Sequence, residues 1–432
     1  MERLFKLEYR EVLLNDRQRL RLMEELVYSR DTDGIRDLLK DKHVKPEFFN
    51  NSYHVVASAA ERGYLDVVKT LRSVGFSVDN KNYFDRHKSP IRMACRAGHV
   101  DIVKFLVEDC GVSMESDDYT SPPVEDAVVR GRLEIVKYFV ESGISIEDVI
   151  RRATSLLHKT VRYEHASICH YLLSKGASAN HRDRYTEDQT PLFDAVCSKK
   201  DVFARNLINA GADVNYRNRL GQTPMFQVLT YGPYELYGCP PLSETVQQLD
   251  MVKLLASFGA DPDIQDVRQR YPLATAIHKD FYNIARYLLV ELNAQLLIKK
   301  IKGMPILIPH AEGKTIFYEA LEKGRYDMVD LMVGVGYSPV REVHAFKDNG
   351  RKSECFRRPK LEELRYIVCN PRRLETLCTF TIRQTLGRRV AGAVTCLPLP
   401  ERMKNILMLR HIKERNNDVC HQDTLVRHDT DL

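Results

Sequence analysis

Apolar and polar positions alternate along most of this chain with the three-and-four step that turns one face of a helix toward a core. The pattern recurs as helix pairs, seen by comparing SPIRMACRAGHVDIVKFLVEDCGVSM from Ser89, PVEDAVVRGRLEIVKYFVESGISI from Pro123 and TPLFDAVCSKKDVFARNLINAGADVN from Thr190. In the first stretch Val100, Ile102, Val103 and Leu106 make the apolar face of the second helix. Glycines that close the second helices stand at Gly75, Gly111, Gly143, Gly176 and Gly211, at intervals of 36, 32, 33 and 35. A period of this size marks stacked units, each unable to bury its own apolar face alone.

The repeat resembles the ankyrin repeat, and its parts have physical reasons. Ser89 or Thr190 can cap the first helix with its hydroxyl, and Pro90 or Pro191 fills the first turn, where no amide donor is required. Ala94 and Ala195 are small enough for two helices to approach closely. Gly98 and Gly131 supply the left-handed residue that ends the first helix. Segments such as Ala212-Asp213-Val214-Asn215 turn outward as fingers.

Repeats are expected to begin near Tyr53, Ser89, Thr120, Ile150, Thr190, Thr223, Tyr271 and Gly313, after a degenerate capping unit around Leu20 to Lys40. The repeat at Ile150 is poor, with a first helix expected over Ile150 to His158 and no Thr-Pro to open it. The consensus His after Thr-Pro-Leu is replaced by Arg92, Phe193 or Phe226.

Two insertions interrupt the period, at 231–246 and 294–312. The first, YGPYELYGCPPLSETV, carries Tyr231, Tyr234 and Tyr237, rigid aromatics that suit a binding surface because they give contact area at low entropy cost. A spacer loop packed on its own repeat fits the same residues.

Near the C-terminus, PRRLETLCTFTIRQTLGRRVAGAVTCLPLPERMKNILML sets Leu374, Leu377, Cys378, Ile382 and Leu386 on one helical stripe between Pro371 and Gly387. Leu397-Pro398-Leu399-Pro400 then forces extended backbone before Met403, Ile406 and Leu407. A piece of about 40 residues is too short to bury its own surface, so these stripes need a partner. A Leu-x-x-x-Cys-x-x-x-Ile stripe alone is ordinary helix core. With Leu397 starting an LPLP run 23 positions after Leu374, the segment resembles a SOCS box. That resemblance implies an elongin-binding box whose leading Leu374 enters a pocket on elongin C, supported by Leu377, Cys378, Ile382 and Leu386. It also implies a cullin-5 box at Leu397, Pro398, Leu399 and Pro400. The chain departs from the family at Ile406, where an aromatic is usual.

Composition agrees with a folded protein: of 432 residues, 44% are apolar and 29% charged. A net charge of +6 from 65 basic and 59 acidic residues is too balanced for a nucleic-acid footprint. No stretch approaches the roughly 20 apolar residues that span a bilayer. Met1-Glu2-Arg3-Leu4-Phe5-Lys6 is too charged for a signal peptide. Ten scattered cysteines without a C-x-x-C pair read as thiols in a reducing compartment. The expectation is a cytoplasmic protein, with the nucleus also open.

No catalytic motif assembles, whether G-x-S-x-G, a phosphate loop, H-E-x-x-H or G-x-G-x-x-G. His54, His99 and His278 stand at repeat positions that favour structural or solvated roles, and Cys378 lies on an apolar stripe. Neither a metal nor a cofactor is expected. Arg182, Arg184, Arg217 and Arg219, then Arg268 and Arg270, crowd the fingers, where Arg suits carboxylate or phosphate groups of a partner. Solvated surface charge is the plainer reading of the same residues.

The expected chain is all-α. An N-terminal helical capping unit covers 1–50, and an ankyrin-repeat solenoid of about eight helix pairs with finger hairpins covers 51–340. A linker with a short helix at 341–368 leads to a C-terminal three-helix SOCS box at 369–410 and a disordered tail at 411–432. It resembles the ankyrin repeat and SOCS box protein family. That resemblance implies a non-catalytic substrate receptor of a ubiquitin ligase: the repeats hold an unknown protein target, while the box docks elongin B, elongin C and cullin-5 with its RING subunit. A pure ankyrin scaffold that masks its partners is the other reading. A viral host-range protein is a third, although such proteins usually carry an F-box.

Overall fold

Pro fixes φ and donates no amide, so a helix can start on it without loss; the first helices of five repeats begin on Pro90, Pro123, Pro191, Pro224 and Pro272. The computed structural model describes residues 16–39, 53–79, 88–115, 121–144, 154–230, 246–294, 297–301, 304–307 and 323–335, with a few single positions besides. The chain divides into two compact units, 1–186 and 187–432.

The first unit opens with α1 (Asp16–Tyr28) and α2 (Thr32–Leu39). Four helix pairs follow: α3 (Tyr53–Arg62) with α4 (Leu65–Ser73), α5 (Pro90–Ala97) with α6 (Val100–Lys104), α7 (Pro123–Val129) with α8 (Leu133–Glu141), and α9 (Leu156–Arg162) with α10 (Ala166–Ser174). First helices stack on first helices and second on second. Ala60, Ala94 and Ala127, all fully buried, keep the stacked layers close. Gly98 ends α5 at φ +100°, the left-handed stop its sequence position predicts.

The second unit has α11 (Pro191–Cys197), α12 (Asp201–Asn209), α13 (Pro224–Thr230), α14 (Val246–Ser257), α15 (Pro272–His278), α16 (Tyr282–Val290) and α17 (Tyr326–Gly334). The helical expectation needs one addition here. The second insertion forms an antiparallel hairpin, β1 (Leu297–Ile301) and β2 (Met304–Leu307), pairing Leu297 with Leu307 and Ile298 with Ile306. Its β-branched isoleucines around Gly303 favour a pleated pair over a helix.

Two local expectations change, and one helix carries an irregular turn. The Ser89 and Thr190 hydroxyls make no capping bond, although both residues hold the extended backbone of a cap. The hydroxyl caps are elsewhere: His158 N–H donates to Ser155 Oγ at 3.4 Å, and Phe226 N–H to Thr223 Oγ1 at 3.3 Å. In the irregular fourth repeat the first helix runs from Leu156 to Arg162, later than the expected Ile150 to His158, with the Ser155 hydroxyl as its cap. Finally, the stretch from Gly98 to Gly111 is one residue longer than that from Gly131 to Gly143. The helix absorbs the extra residue as a π turn over Phe105–Asp109, where Cys110 N–H reaches Phe105 O at 3.2 Å.

Candidate binding cleft on the repeat fingers

A finger must reverse direction within a few residues, and Asn or Asp does this by accepting backbone amides ahead of it. In the second unit Asn218 Oδ1 accepts from Gln222 N–H at 2.9 Å. In the next finger Asp266 Oδ1 accepts from Arg268 N–H at 2.9 Å and Arg270 N–H at 2.8 Å. The tips are then sewn together: Val267 N–H donates to Leu220 O at 2.9 Å, and Arg217 Nη2 to Gln265 O at 3.1 Å. The contact is close enough that a Cβ on Gly221 would meet Val267 N at 2.9 Å, while φ at Gly221 is +71°.

Beneath the sewn tips lies a cleft of about 430 Å³, within the size range of about 300–1,000 Å³ usual for ligand sites. Leu220, Val267, Arg268 and Arg270 form its finger side. Gln222, Ala274, Thr275 and Lys279 line it from the helix side. Asp266 is buried and its Oδ2 receives Arg270 Nε at 2.8 Å. The Arg270 guanidinium also lies 5.6 Å from the centre of the buried Phe226 ring, a cation–π position. Lys279 Nζ donates to Thr230 O at 3.1 Å. Arg268 is exposed, and its side chain enters no ion pair among the described residues. The Oε1 of Gln222 is buried without a hydrogen-bond partner among the described residues.

The finger arginines divide by role. Arg217 is spent on Gly221 O and Gln265 O. Arg219 pairs with Asp188, with Nε at 2.8 Å from Oδ2. Both hold fingers together instead of offering a free cation. Arg182 and Arg184 are exposed on a finger of the first unit, beside Tyr185 at 76% exposure. Tyr231, Tyr234 and Tyr237 lie outside the described residues. So do Leu374, Leu377, Cys378, Ile382, Leu386, Leu397, Pro398, Leu399 and Pro400, because beyond Val335 only Lys404 is described. Gln222 and Lys279 were not singled out from sequence. Their signal was position, since Gln222 directly precedes the Thr223-Pro224 helix start and Lys279 directly follows α15.

Histidines act as stitches. His99 Nε2 lies 3.0 Å from Glu61 O, and His165 Nε2 lies 3.0 Å from Val129 O. Arg132 Nε donates to Arg96 O at 3.0 Å in the corresponding place. Each follows a left-handed residue that closes a first helix, at Gly98, Glu164 and Gly131. Ser155 Oγ and His158 Nδ1 are 2.8 Å apart, which mimics a nucleophile and its base. Both are buried, with His158 fully enclosed, so the pair caps a helix and meets no substrate. Among the described residues no three His, Cys, Asp or Glu side chains could hold a metal ion, and no helix is long and apolar enough to cross a membrane.

Comparison with known proteins bears on the same regions. The family model for ankyrin repeats in three copies matches residues 35–150 and 242–342, and that for a single ankyrin repeat matches 187–219. The SOCS box model matches 370–408. The Caenorhabditis elegans ankyrin repeat and KH domain-containing protein mask-1 is 26% identical over 48% of this chain and 8% of its own length. An ankyrin repeat-containing protein of Schizosaccharomyces pombe, P1E11.10, is 32% identical over 24% of this chain and 47% of its own length. An Acanthamoeba polyphaga mimivirus protein, L371, is 24% identical over 61% of this chain and 33% of its own length. The chain therefore spans less than half the length of each of these curated relatives. Among solved structures, the human ASB11 ankyrin repeat domain gives a TM-score of 0.40 at 21% identity, covering 50% of this chain and 89% of that one. The ankyrin repeat domain of Bcl-3 gives 0.41 at 21% identity, covering 51% and 92%.

Proposed function

The chain belongs to the ankyrin repeat and SOCS box protein family, and from that premise we propose that it is the substrate receptor of a cullin-RING ubiquitin ligase built on elongin B, elongin C and cullin-5. Ankyrin repeats and a SOCS box are non-catalytic adaptor modules, and together they point to substrate recognition in such a ligase. The observation that carries this reading is the joining of both modules in one chain, repeats from 35 and a SOCS box at 370–408.

The mechanism is proximity. The repeats hold a target while the box docks the ligase, so that a target lysine meets the ubiquitin thioester at high effective concentration. This subunit breaks no bond itself. The apolar stripe Leu374, Leu377, Cys378, Ile382 and Leu386 supports docking on elongin C, since a segment of this length has no core of its own to cover it. The cysteines among the described residues form no disulfide, with Cys95 and Cys169 buried, which supports action in a reducing compartment such as the cytoplasm.

The test is replacement of Leu374 and Cys378 together by Asp in the full chain. Elongin capture should be abolished, because centrally buried apolar anchors dominate interfaces. Elongins recovered at undiminished yield would leave the chain a scaffold that masks its partners.

A further inference from the structure

The cleft between the fingers holds features that the fold itself does not use. Gln222 is only 4% exposed, lines the cleft and keeps a buried Oε1 without a donor among the described residues. Buried acceptors normally find a partner, so this one is poised for a donor that arrives with a ligand. Arg268 stands at the rim with an exposed guanidinium that no described carboxylate neutralises. Its neighbour Arg270 is committed to Asp266 and to the face of Phe226. Beside Arg268, Val267 is 61% exposed and Leu220 36%, an apolar rim next to the free cation.

The charges settle the kind of occupant. Among the described residues, Arg268, Arg270 and Lys279 line the cleft against one carboxylate, Asp266. That carboxylate already accepts from the Arg270 side chain and from two backbone N–H groups. An incoming anion therefore meets a positive lining. A single unengaged guanidinium matches one carboxylate, which it can hold through two parallel bonds. Phosphorylated motifs are read by clusters of arginines instead.

We propose that this cleft takes an extended acidic segment of a partner protein. An Asp or Glu carboxylate of the segment pairs with Arg268, a backbone N–H of the segment donates to Gln222 Oε1, and a small aliphatic side chain covers Val267 and Leu220. The Val267 N–H to Leu220 O bond holds the two fingers in place before the segment arrives, so little ordering is left to binding. The inference deepens the target-binding half of the function proposed above, and rests on it only in taking the segment's owner to be a degradation target.

The experiment selects short random peptides, displayed as a library, on the immobilised full chain. Enriched peptides should share an Asp or Glu beside a small aliphatic residue. Arg268→Glu, at an exposed position, should leave the thermal midpoint unchanged and weaken the selected peptide on the order of tenfold or more. The same peptide with its acid replaced by Lys should recover affinity for Arg268→Glu. No enrichment, enrichment without an acid, or equal binding by Arg268→Glu would overturn the proposal. Tighter binding of a version carrying phosphoserine in place of the acid would also overturn it, by making the cleft a phosphate reader. The selection is repeated on the Leu374 and Cys378 variant. There an acidic consensus supports the cleft whether or not the wild-type chain captures elongins, which separates this proposal from the ligase reading.

Discussion

Asp183 has no exposed side-chain surface, and its Oδ2 accepts a hydrogen bond from Arg162 Nη2 at 2.8 Å. Tyr185 N–H occupies the other oxygen at 3.0 Å. Burial by itself raises the Asp183 carboxyl, but the Tyr185 amide, the Arg162 guanidinium and the charge of His158 outweigh it and hold the group below the ordinary aspartate range. The finger thus depends on a charge kept out of water.

Asp183→Asn should cost about 2 kcal/mol, the size of a hydrogen bond between charged groups. Because the folded group titrates below the unfolded one, its contribution is complete above the ordinary aspartate value of about 3.9. It fades as pH falls through the lower folded value. Urea midpoints of wild type and Asp183→Asn should stay apart from neutral pH down to that value and converge below it. A gap that ignores pH would show that the carboxylate charge is irrelevant.

Two serines at the same place in their repeats should behave differently. Ser155 accepts from His158 N–H, whereas Ser89 makes no capping bond. Ser155→Ala should lower stability by about 1 kcal/mol. Ser89→Ala should stay within about 0.5 kcal/mol. Equal losses in chemical denaturation would mean that the hydroxyl cap does not start the fourth repeat.

Gly221 and Gly111 form a second pair of contrasts. Both have positive φ, but a Cβ at Gly111 meets open space while one at Gly221 meets Val267 N at 2.9 Å. Gly111→Ala should cost about 1 kcal/mol for the left-handed backbone alone. Gly221→Ala should cost more and should speed hydrogen exchange at the Val267 amide, whose bond to Leu220 O it displaces. Unchanged exchange at Val267 would refute the account of the sewn finger tips.

Replacing Leu397, Pro398, Leu399 and Pro400 together by Ala should keep elongins bound and lose cullin-5 from the captured complex. Loss of elongins as well would make the LPLP run a folding element of the box. Retention of cullin-5 would remove it from the docking surface.

Much of this architecture was legible along the chain because its cause is local. A glycine at most repeat ends, a Pro in the first turn of five repeats and apolar residues at helical spacing report on backbone conformation and helix faces within one repeat. The LPLP run after the Leu374 stripe is likewise a pattern of neighbours. The hairpin at Leu297–Leu307 was less legible, since a short apolar run fits strand and helix alike until length and β-branching are weighed.

What sequence determined by itself is therefore the repeat, its period, and the pairing of ankyrin repeats with a SOCS box in one chain. Tertiary structure decided which side chains those repeats leave available. Arg217 and Arg268 look alike in sequence, yet the first is consumed by carbonyls at Gly221 and Gln265, and the second faces solvent beside a buried, unsatisfied Gln222. The physical reason is distance along the chain. Hydrogen bonds that join one finger to the next bridge 31 positions from Arg219 to Asp188 and 48 from Arg217 to Gln265, and no local pattern records which donor will find its acceptor across that gap.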